Sequence, residues 1–153
     1  MGEHEMPTRT SRAEWKGALR DGQGTLVVGQ DAFTGRYSFP SRFESGEGTN
    51  PEELLGAAHA ACFSMALAAG LGRAGHYPES VATTARVTLE RAGEGFAITR
   101  IDLDCMARAP GISEADFQHL AEEAKQGCPV SKALAGTTIS LTARQSATGN
   151  EGR

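Results

Sequence analysis

Residues 50–71 read NPEELLGAAHAACFSMALAAGL, and this stretch decides the fold. Asn50 is a favoured residue at a helix N-cap, and Pro51 suits the first helical position because its ring presets the backbone angle φ. Glu53 then stands where the acid of a capping box usually lies. Together these residues predict that a helix begins at Pro51.

The residues that follow, from Leu54 to Leu71, are mostly Ala, Leu and other strong helix formers. The predicted helix is apolar on nearly every side, and we expect Gly70 and Gly72 to end it. A helix that is apolar all round must be buried all round. We therefore expect a central helix that is wrapped by sheet or pressed against a second subunit.

Short strands are predicted on the N-terminal side of this helix. Residues 12–28 contain two short segments separated by the glycine-containing turn at 21–24, which is typical of a hairpin. Residues 37–40 predict a third short strand that Pro40 ends. Residues 41–50 are polar and contain two glycines, so they predict a loop.

The C-terminal side of the helix predicts a hairpin, two helices and a last strand. Residues 81–90 and 96–106 alternate between apolar and polar, with one phase slip that predicts a bulge near Thr99. An amphipathic helix over 113–125, a short helix over 130–134 and a strand over 137–142 follow. The order β-β-β-α-β-β-α-α-β, with antiparallel strands, predicts an α+β fold.

Length, composition and charge exclude several classes of protein. The 153 residues fit one domain, which we place over 10–145, with disordered polar tails over 1–9 and 146–153. The net charge of −4 gives no electrostatic reason to bind nucleic acid or an anionic membrane. We find no run of about 20 apolar residues that would span a bilayer, and no secretion signal. These features predict a soluble cytoplasmic protein.

The chemistry centres on three cysteines, which are too few for a secreted disulfide scaffold. Cys62 lies inside the apolar helix, where a cysteine usually only packs. Cys128 stands between Gly127 and Pro129, at or near a helix N-cap, where backbone N–H groups favour a thiolate. Cys105 is in phase with the apolar positions of its strand and is expected in the core. Neither the cysteines nor the scattered histidines have the spacing of a metal site.

Three further residues are candidates for a site around Cys62. Arg42 carries a permanent charge that could stabilise a thiolate, although a solvated loop arginine is the alternative. Glu52 could orient that arginine or handle a proton, or it could only complement the helix dipole. His59 precedes Cys62 by three residues on the helix and is either a base or a packing histidine.

Three segments closely resemble motifs of the OsmC/Ohr family: RFE at 42–44, GTNPEELLGAAHAACFSMAL at 48–67 and AKQGCPVS at 124–131. The resemblance extends over about 13–145. The form of the helix motif that contains His59 resembles the OsmC branch rather than the organic hydroperoxide resistance (Ohr) branch.

The resemblance implies an α+β fold built as an intertwined homodimer, and a thiol peroxidase that needs no metal, haem or other cofactor. By motif position, Cys62 matches the cysteine that attacks the peroxide, and Cys128 matches the one that resolves it through a disulfide. Arg42 and Glu52 match the active-site arginine and acid. An external dithiol would then reduce the disulfide, and the resemblance to Ohr relatives implies one of the lipoyl type.

One inference comes from helix geometry. Glu52 and Cys62 are ten residues apart on the predicted helix, which is about 15 Å along its axis. A carboxylate cannot span that distance to the sulfur of its own chain. If both belong to one site, we expect the second subunit to supply Glu52.

Two alternatives from other classes of protein stay open at this point. One is a cysteine hydrolase that uses Cys62 with His59, although no third group and no oxyanion-hole motif are visible. The other is a non-catalytic stress or ligand-binding protein whose cysteines only pack.

Overall fold

The structure is a computed structural model that describes residues 6–146. The chain divides into two compact units with a boundary between Pro51 and Glu52, and each unit is described by itself. The expectation of a single domain over 10–145 is not tested by this division and stays a prediction. Residues 6–10 form neither helix nor strand, and the remaining residues of the two predicted tails, except Ser146, lie outside the described part.

The first unit is an antiparallel sheet followed by a short helix. Its strands are β1 (Ser11–Lys16), β2 (Gln23–Val28) and β3 (Phe33–Tyr37), in the order β1-β2-β3. The predicted hairpin is therefore confirmed. The predicted third strand at 37–40 was placed too late, since β3 ends at Tyr37.

The helix α1 (Phe39–Phe43) occupies the start of the segment that we predicted as a loop. Ser38 caps it: the Ser38 hydroxyl accepts from the Ser41 backbone N–H, and the Ser38 N–H donates to the Ser41 hydroxyl. Pro40 lies in the first turn, where a missing N–H costs nothing, so it supports a helix start rather than a strand end.

The segment after α1 returns to β3 through a glycine that no other residue could replace without strain. Gly48 has φ +111°, and a Cβ there would lie 2.5 Å from the Arg36 carbonyl oxygen. The next residue, Thr49, donates its N–H to that same carbonyl at 2.8 Å. Asn50 Nδ2 donates to the Ser41 carbonyl at 2.9 Å, which ties the segment before the long helix to α1.

The second unit begins with the long helix α2 (Pro51–Arg73), so the predicted start is confirmed. The predicted end was too early, because α2 continues through Gly70 and Gly72. Gly75, with φ +85°, turns the chain, and His76 N–H then donates to the Leu71 carbonyl at 2.9 Å. This is the left-handed glycine termination that many helices use.

The sheet of the second unit has the order β4-β5-β6. Its strands β4 (Ser80–Ala92) and β5 (Gly95–Arg108) form the predicted antiparallel hairpin, with the register shift opposite Thr99 where a bulge was expected. The helices α3 (Glu114–Gly127) and α4 (Pro129–Ala133) and the strand β6 (Thr138–Gln145) follow, close to their predicted positions.

The expectation of wholly antiparallel strands was wrong for β6, which pairs in parallel with β5. The physical reason is the connection. Parallel neighbours need a crossover of a dozen or more residues that is usually helical, and α3 with α4 provides it.

One face of α2 forms the core of the second unit. The core residues on this face are Phe63, Leu67 and Leu71, all fully buried, and they form one cluster with residues of β5 and α3. The opposite face is exposed, including Met65 at 76% of its surface. Of the two alternatives, the sheet therefore does not wrap α2 on every side within one chain, and burial against a second subunit stays a prediction.

By length and composition alone, α2 could also cross a membrane, contrary to our expectation that no stretch is long and apolar enough. Long helices in the cores of soluble proteins share this property. The fully buried Phe63 and Leu67 place α2 in that class, because they pack inside the second unit rather than facing outward.

We predict that Leu67→Ala lowers the free energy of unfolding by about 2–5 kcal/mol, because it leaves a cavity in the fully buried α2 face. Leu19→Ala is the matched control, since Leu19 is 63% exposed. Its effect should stay below about 1 kcal/mol. Urea denaturation followed by circular dichroism measures both, and equal losses would contradict this assignment of the core.

Candidate active site

Cys62 lies on the fourth turn of α2, half-buried and packed against the core cluster of the second unit. Its neighbours His59 and Phe63, three residues before it and one after it, are fully buried. Cys62 is therefore at the edge of the buried face. Its thiol borders both the core and the exposed side of the helix.

Cys128 lies at the junction of α3 and α4, as its C-cap and N-cap respectively. Its N–H closes α3 by donating to the Ala124 carbonyl at 2.9 Å, and its carbonyl accepts from Lys132 N–H at 3.1 Å. Pro129 takes the first position of α4, where no N–H is needed. The sequence Gly-Cys-Pro thus holds a fully buried sulfur at a helix start.

The fold brings the two cysteines together. The thiols of Cys62 and Cys128 lie close enough to shift each other's pKa, although the residues are far apart in the sequence. Both are free thiols, so the contact is that of a reduced pair. Cys105 is also free and is fully buried on β5, as expected for a core residue.

The surroundings of the two sulfurs differ in their effect on charge. Burial raises the pKa of the Cys62 thiol, and the neighbouring Cys128 raises it further. Burial would also raise the pKa of Cys128. The neighbouring Cys62 thiol and the polar groups of Ser131 and Val130 outweigh burial and hold that pKa below its usual value.

The pair therefore titrates as a unit, and these contacts favour the first negative charge on Cys128. A thiolate at Cys62, as the sequence analysis proposes, needs a further favourable charge. The N–H of Val130 is one group that already lowers the pKa of Cys62, although it does not outweigh the opposing causes.

His59 does not bond to Cys62, although it lies one turn before it. Its Nε2 lies 2.7 Å from the hydroxyl oxygen of Ser131, and both side chains are buried. Burial lowers the pKa of His59 below its usual 6.5, so the ring is neutral near pH 7. Of the two alternatives for His59, a packing histidine with a hydrogen bond fits this geometry better than a base acting on Cys62.

Ser131 was not among the residues that we predicted to form the site. The signal that could have found it is its position three residues after Cys128, which is the spacing at which an N-cap residue and the third helical residue interact. Because Cys128 is the N-cap of α4, the polar groups of Ser131 lie near its sulfur and lower its pKa.

Glu52 and Arg42 occupy defined places in the fold. Glu52 is buried in the first turn of α2, which is one unbroken helix to Arg73, so Glu52 is about 15 Å along the axis from Cys62. Arg42 belongs to the other unit, in α1, where its guanidinium lies 5.4 Å from the centre of the Phe43 ring. The roles of both residues stay predictions from the sequence.

Residues 44–143 match the family of OsmC-like proteins. The peroxiredoxin OsmC of Escherichia coli K12 is 47% identical over 127 residues, which cover 82% of this chain and 89% of that protein. The organic hydroperoxide resistance protein of Xanthomonas axonopodis pv. citri is 32% identical over 124 residues, covering 78% of this chain and 85% of that protein.

Solved structures share the fold. A protein from Legionella pneumophila, described as an organic hydroperoxide resistance protein OsmC, has a TM-score of 0.67 at 24% identity, covering 92% of this chain and 99% of that one. The organic hydroperoxide resistance protein OhrB of Bacillus subtilis has a TM-score of 0.64 at 22% identity, covering 90% and 98%. At these identities the likeness concerns the fold.

We predict that His59 makes the protein less stable in mild acid. The unfolded chain takes up a proton on this residue near pH 6.5, whereas the buried ring does so only at lower pH, so stability falls as the pH drops below about 6.5. The loss is at most about 1.4 kcal/mol per pH unit. Urea titrations of wild type and His59→Gln from pH 7.5 to 5 should differ by this slope, and parallel curves would contradict it.

Proposed function

The chain belongs to the family of OsmC-like proteins and is a cysteine-based peroxidase of stress defence, and we propose that Cys62 and Cys128 carry its reaction. Cys62 would attack the hydroperoxide, and Cys128 would resolve the product as a disulfide. The observation that carries this assignment is the closeness of the two thiols: Cys62 packs against the cluster that contains Cys128, and each thiol shifts the pKa of the other.

The assignment of the attacking thiol to Cys62 is supported by access. Cys62 is half-buried at the edge of the α2 face, whereas Cys128 is fully buried and cannot meet a substrate first. The contacts within the second unit favour the negative charge on Cys128. A cation near Cys62 is therefore needed to favour the thiolate at Cys62 instead. We propose that Arg42 supplies that charge, since a guanidinium stays protonated.

In the first step, the Cys62 thiolate attacks the terminal oxygen of the hydroperoxide. The O–O bond breaks, its electron pair leaves with the alkoxide, and the alkoxide takes a proton from solvent to become the alcohol. Cys62 becomes a sulfenic acid. With hydrogen peroxide the leaving product would be water.

In the second step, the Cys128 thiolate attacks the sulfur of the Cys62 sulfenic acid, and hydroxide leaves as the disulfide forms. An external dithiol then reduces the disulfide by exchange. We propose a lipoyl-type dithiol as this reductant, as the resemblance to Ohr relatives implies. We propose the cytoplasm as the compartment, because a reducing compartment regenerates the thiols that the cycle requires. The apolar surroundings of Cys62 favour organic hydroperoxides as substrates.

We predict that Cys62→Ser lowers peroxide consumption to the uncatalysed rate, with cumene hydroperoxide as substrate and dithiothreitol as reductant. Cys105→Ala is the matched control and should retain activity, because Cys105 has no part in the cycle. After one equivalent of peroxide without reductant, mass spectrometry should find Cys62 linked to Cys128. Equal rates for wild type and Cys62→Ser would refute the assignment, and a linkage to Cys105 would refute the pairing.

The protein also works, we propose, as a homodimer in which α2 of one copy packs against the other. The supporting observation is the exposed face of α2, where apolar side chains recur at helical spacing: Ala57, Ala58, Ala61, Met65 and Ala69. Such a continuous apolar stripe is unfavourable in water and typical of a surface that another protein chain covers.

The dimer would also bring Glu52 to a reaction centre. Along its own α2, Glu52 is about 15 Å from Cys62, and an antiparallel partner helix would reverse the order of these residues. We therefore propose that Glu52 of one copy serves Cys62 of the other by orienting Arg42.

We predict complementation between two inactive variants. Cys62→Ser and Glu52→Gln should each impair the peroxidase activity of the homodimer that carries it. A mixed dimer, co-expressed with two affinity tags and purified through both, should regain one intact site and about half of the wild-type activity per dimer. Light scattering should give twice the 16.1 kDa of one chain for each species. A mixed dimer as inactive as its parents would show that Glu52 acts within its own chain.

A further inference from the structure

His59 and Ser131 form a buried polar pair that the proposed cycle does not use. His59 is fully buried on α2, Ser131 is 6% exposed on α4, and 2.7 Å separates His59 Nε2 from Ser131 Oγ. Ser131 is the third residue of α4, whose N-cap is Cys128, and its hydroxyl is one of the groups that lower the pKa of the Cys128 thiol. The side chains thus form a chain of contacts from His59 through Ser131 and Cys128 to Cys62.

The direction of these hydrogen bonds follows from the number of protons. A serine hydroxyl carries one hydrogen, so it can donate to only one neighbour. If Ser131 donates to a Cys128 thiolate, its oxygen must accept from His59, and the histidine proton must lie on Nε2. If Ser131 donates to His59 instead, it can only accept from a protonated Cys128, and the histidine proton lies on Nδ1.

The other ring nitrogen of His59 separates the two cases. Nδ1 is buried and has no hydrogen-bond partner among residues 6–146. Buried N–H groups without an acceptor are rarer in proteins than buried acceptors without a donor. The proton is therefore on Nε2, which is the arrangement in which Ser131 donates to Cys128.

We propose that Ser131 and His59 are positioning residues for the resolving step: Ser131 donates a hydrogen bond to the Cys128 thiolate, and His59 fixes the direction of that hydroxyl. The inference rests on the proposed function. The lowered pKa of Cys128, to which the Ser131 hydroxyl contributes, agrees with it.

The pair acts on the second chemical step. The Cys128 thiolate forms a bond to the sulfur of the Cys62 sulfenic acid, the S–O bond breaks, and the hydroxide takes a proton from solvent to leave as water. Cys128 is oxidised and the sulfenic sulfur is reduced as the disulfide forms. A Cys128 that is protonated or misdirected leaves the sulfenic acid exposed to a second peroxide, which converts it to a sulfinic acid.

Four variants test the proposal. Ser131→Ala removes the hydroxyl and Ser131→Thr retains it, whereas His59→Leu removes the donor and His59→Gln retains an amide N–H. The removal variants should form the Cys62–Cys128 disulfide about tenfold more slowly after peroxide, which is the effect expected when a hydrogen bond to a charged group is lost. Threonine and glutamine should restore most of the rate.

The measurement is the fate of Cys62 rather than activity alone. Rapid mixing with cumene hydroperoxide, quenching with dimedone and peptide mass spectrometry give the fractions of disulfide, trapped sulfenic acid and sulfinic acid. In Ser131→Ala and His59→Leu the sulfenic and sulfinic fractions should rise at the expense of disulfide. The double variant should be no slower than either single variant, because both act through one hydrogen bond.

The outcomes are distinguishable. If the wild type forms the disulfide and both removal variants give the same fractions of disulfide, sulfenic acid and sulfinic acid as the wild type, this proposal is overturned. The proposed function is then left intact. Equal slowing in the alanine and threonine variants also overturns it, since it would indicate packing rather than the hydroxyl. A wild type that forms neither sulfenic acid nor disulfide overturns the proposed function, and this inference with it.

Discussion

The packing of one face of α2 against the rest of the second unit is the constraint on which the site depends. Phe63 and Leu67 are fully buried in one cluster with β5 and α3. The burial of this face fixes the rotation of α2, and the rotation places Cys62 at its edge beside the α3–α4 junction. The apolar cluster also encloses the Cys128 sulfur and partly encloses that of Cys62, so neighbouring polar groups influence which one carries charge. Packing and reactivity therefore have a common origin in this helix.

The sequence indicated the elements whose signals are local. Asn50 and Pro51 marked the start of α2, the phase slip marked the bulge at Thr99, and Gly-Cys-Pro marked the helix start at Cys128. The α+β class followed from the order of such elements. Features set by distant parts of the chain were not visible in this way. The parallel pairing of β6 depends on how the crossover docks, and the exposed face of α2 depends on what covers it.

The candidate site was likewise predictable only where its signals are local. The resemblance to the OsmC/Ohr family singled out both cysteines, but residue spacing alone could not bring them together. The bond between His59 and Ser131 joins α2 to α4, and no local pattern predicts such a pair. The electrostatics were likewise not predictable, because the lowered pKa of Cys128 results from Cys62 on α2 and from polar groups of α4, which only the fold brings together. Arg42 is proposed to favour the negative charge on Cys62 instead of Cys128, and its role is indicated only by the motif.

The parallel pairing of β5 with β6 has a consequence for how the protein is made. A strand that joins its neighbour through two intervening helices pairs late in folding, because the loop-closure entropy must be overcome first. Cys128 lies within that crossover, whereas Cys62 lies on a helix that precedes it in synthesis. A nascent or partly folded chain therefore exposes Cys62 before its partner has arrived. Until the crossover docks, that thiol lacks its resolving partner and is open to irreversible oxidation.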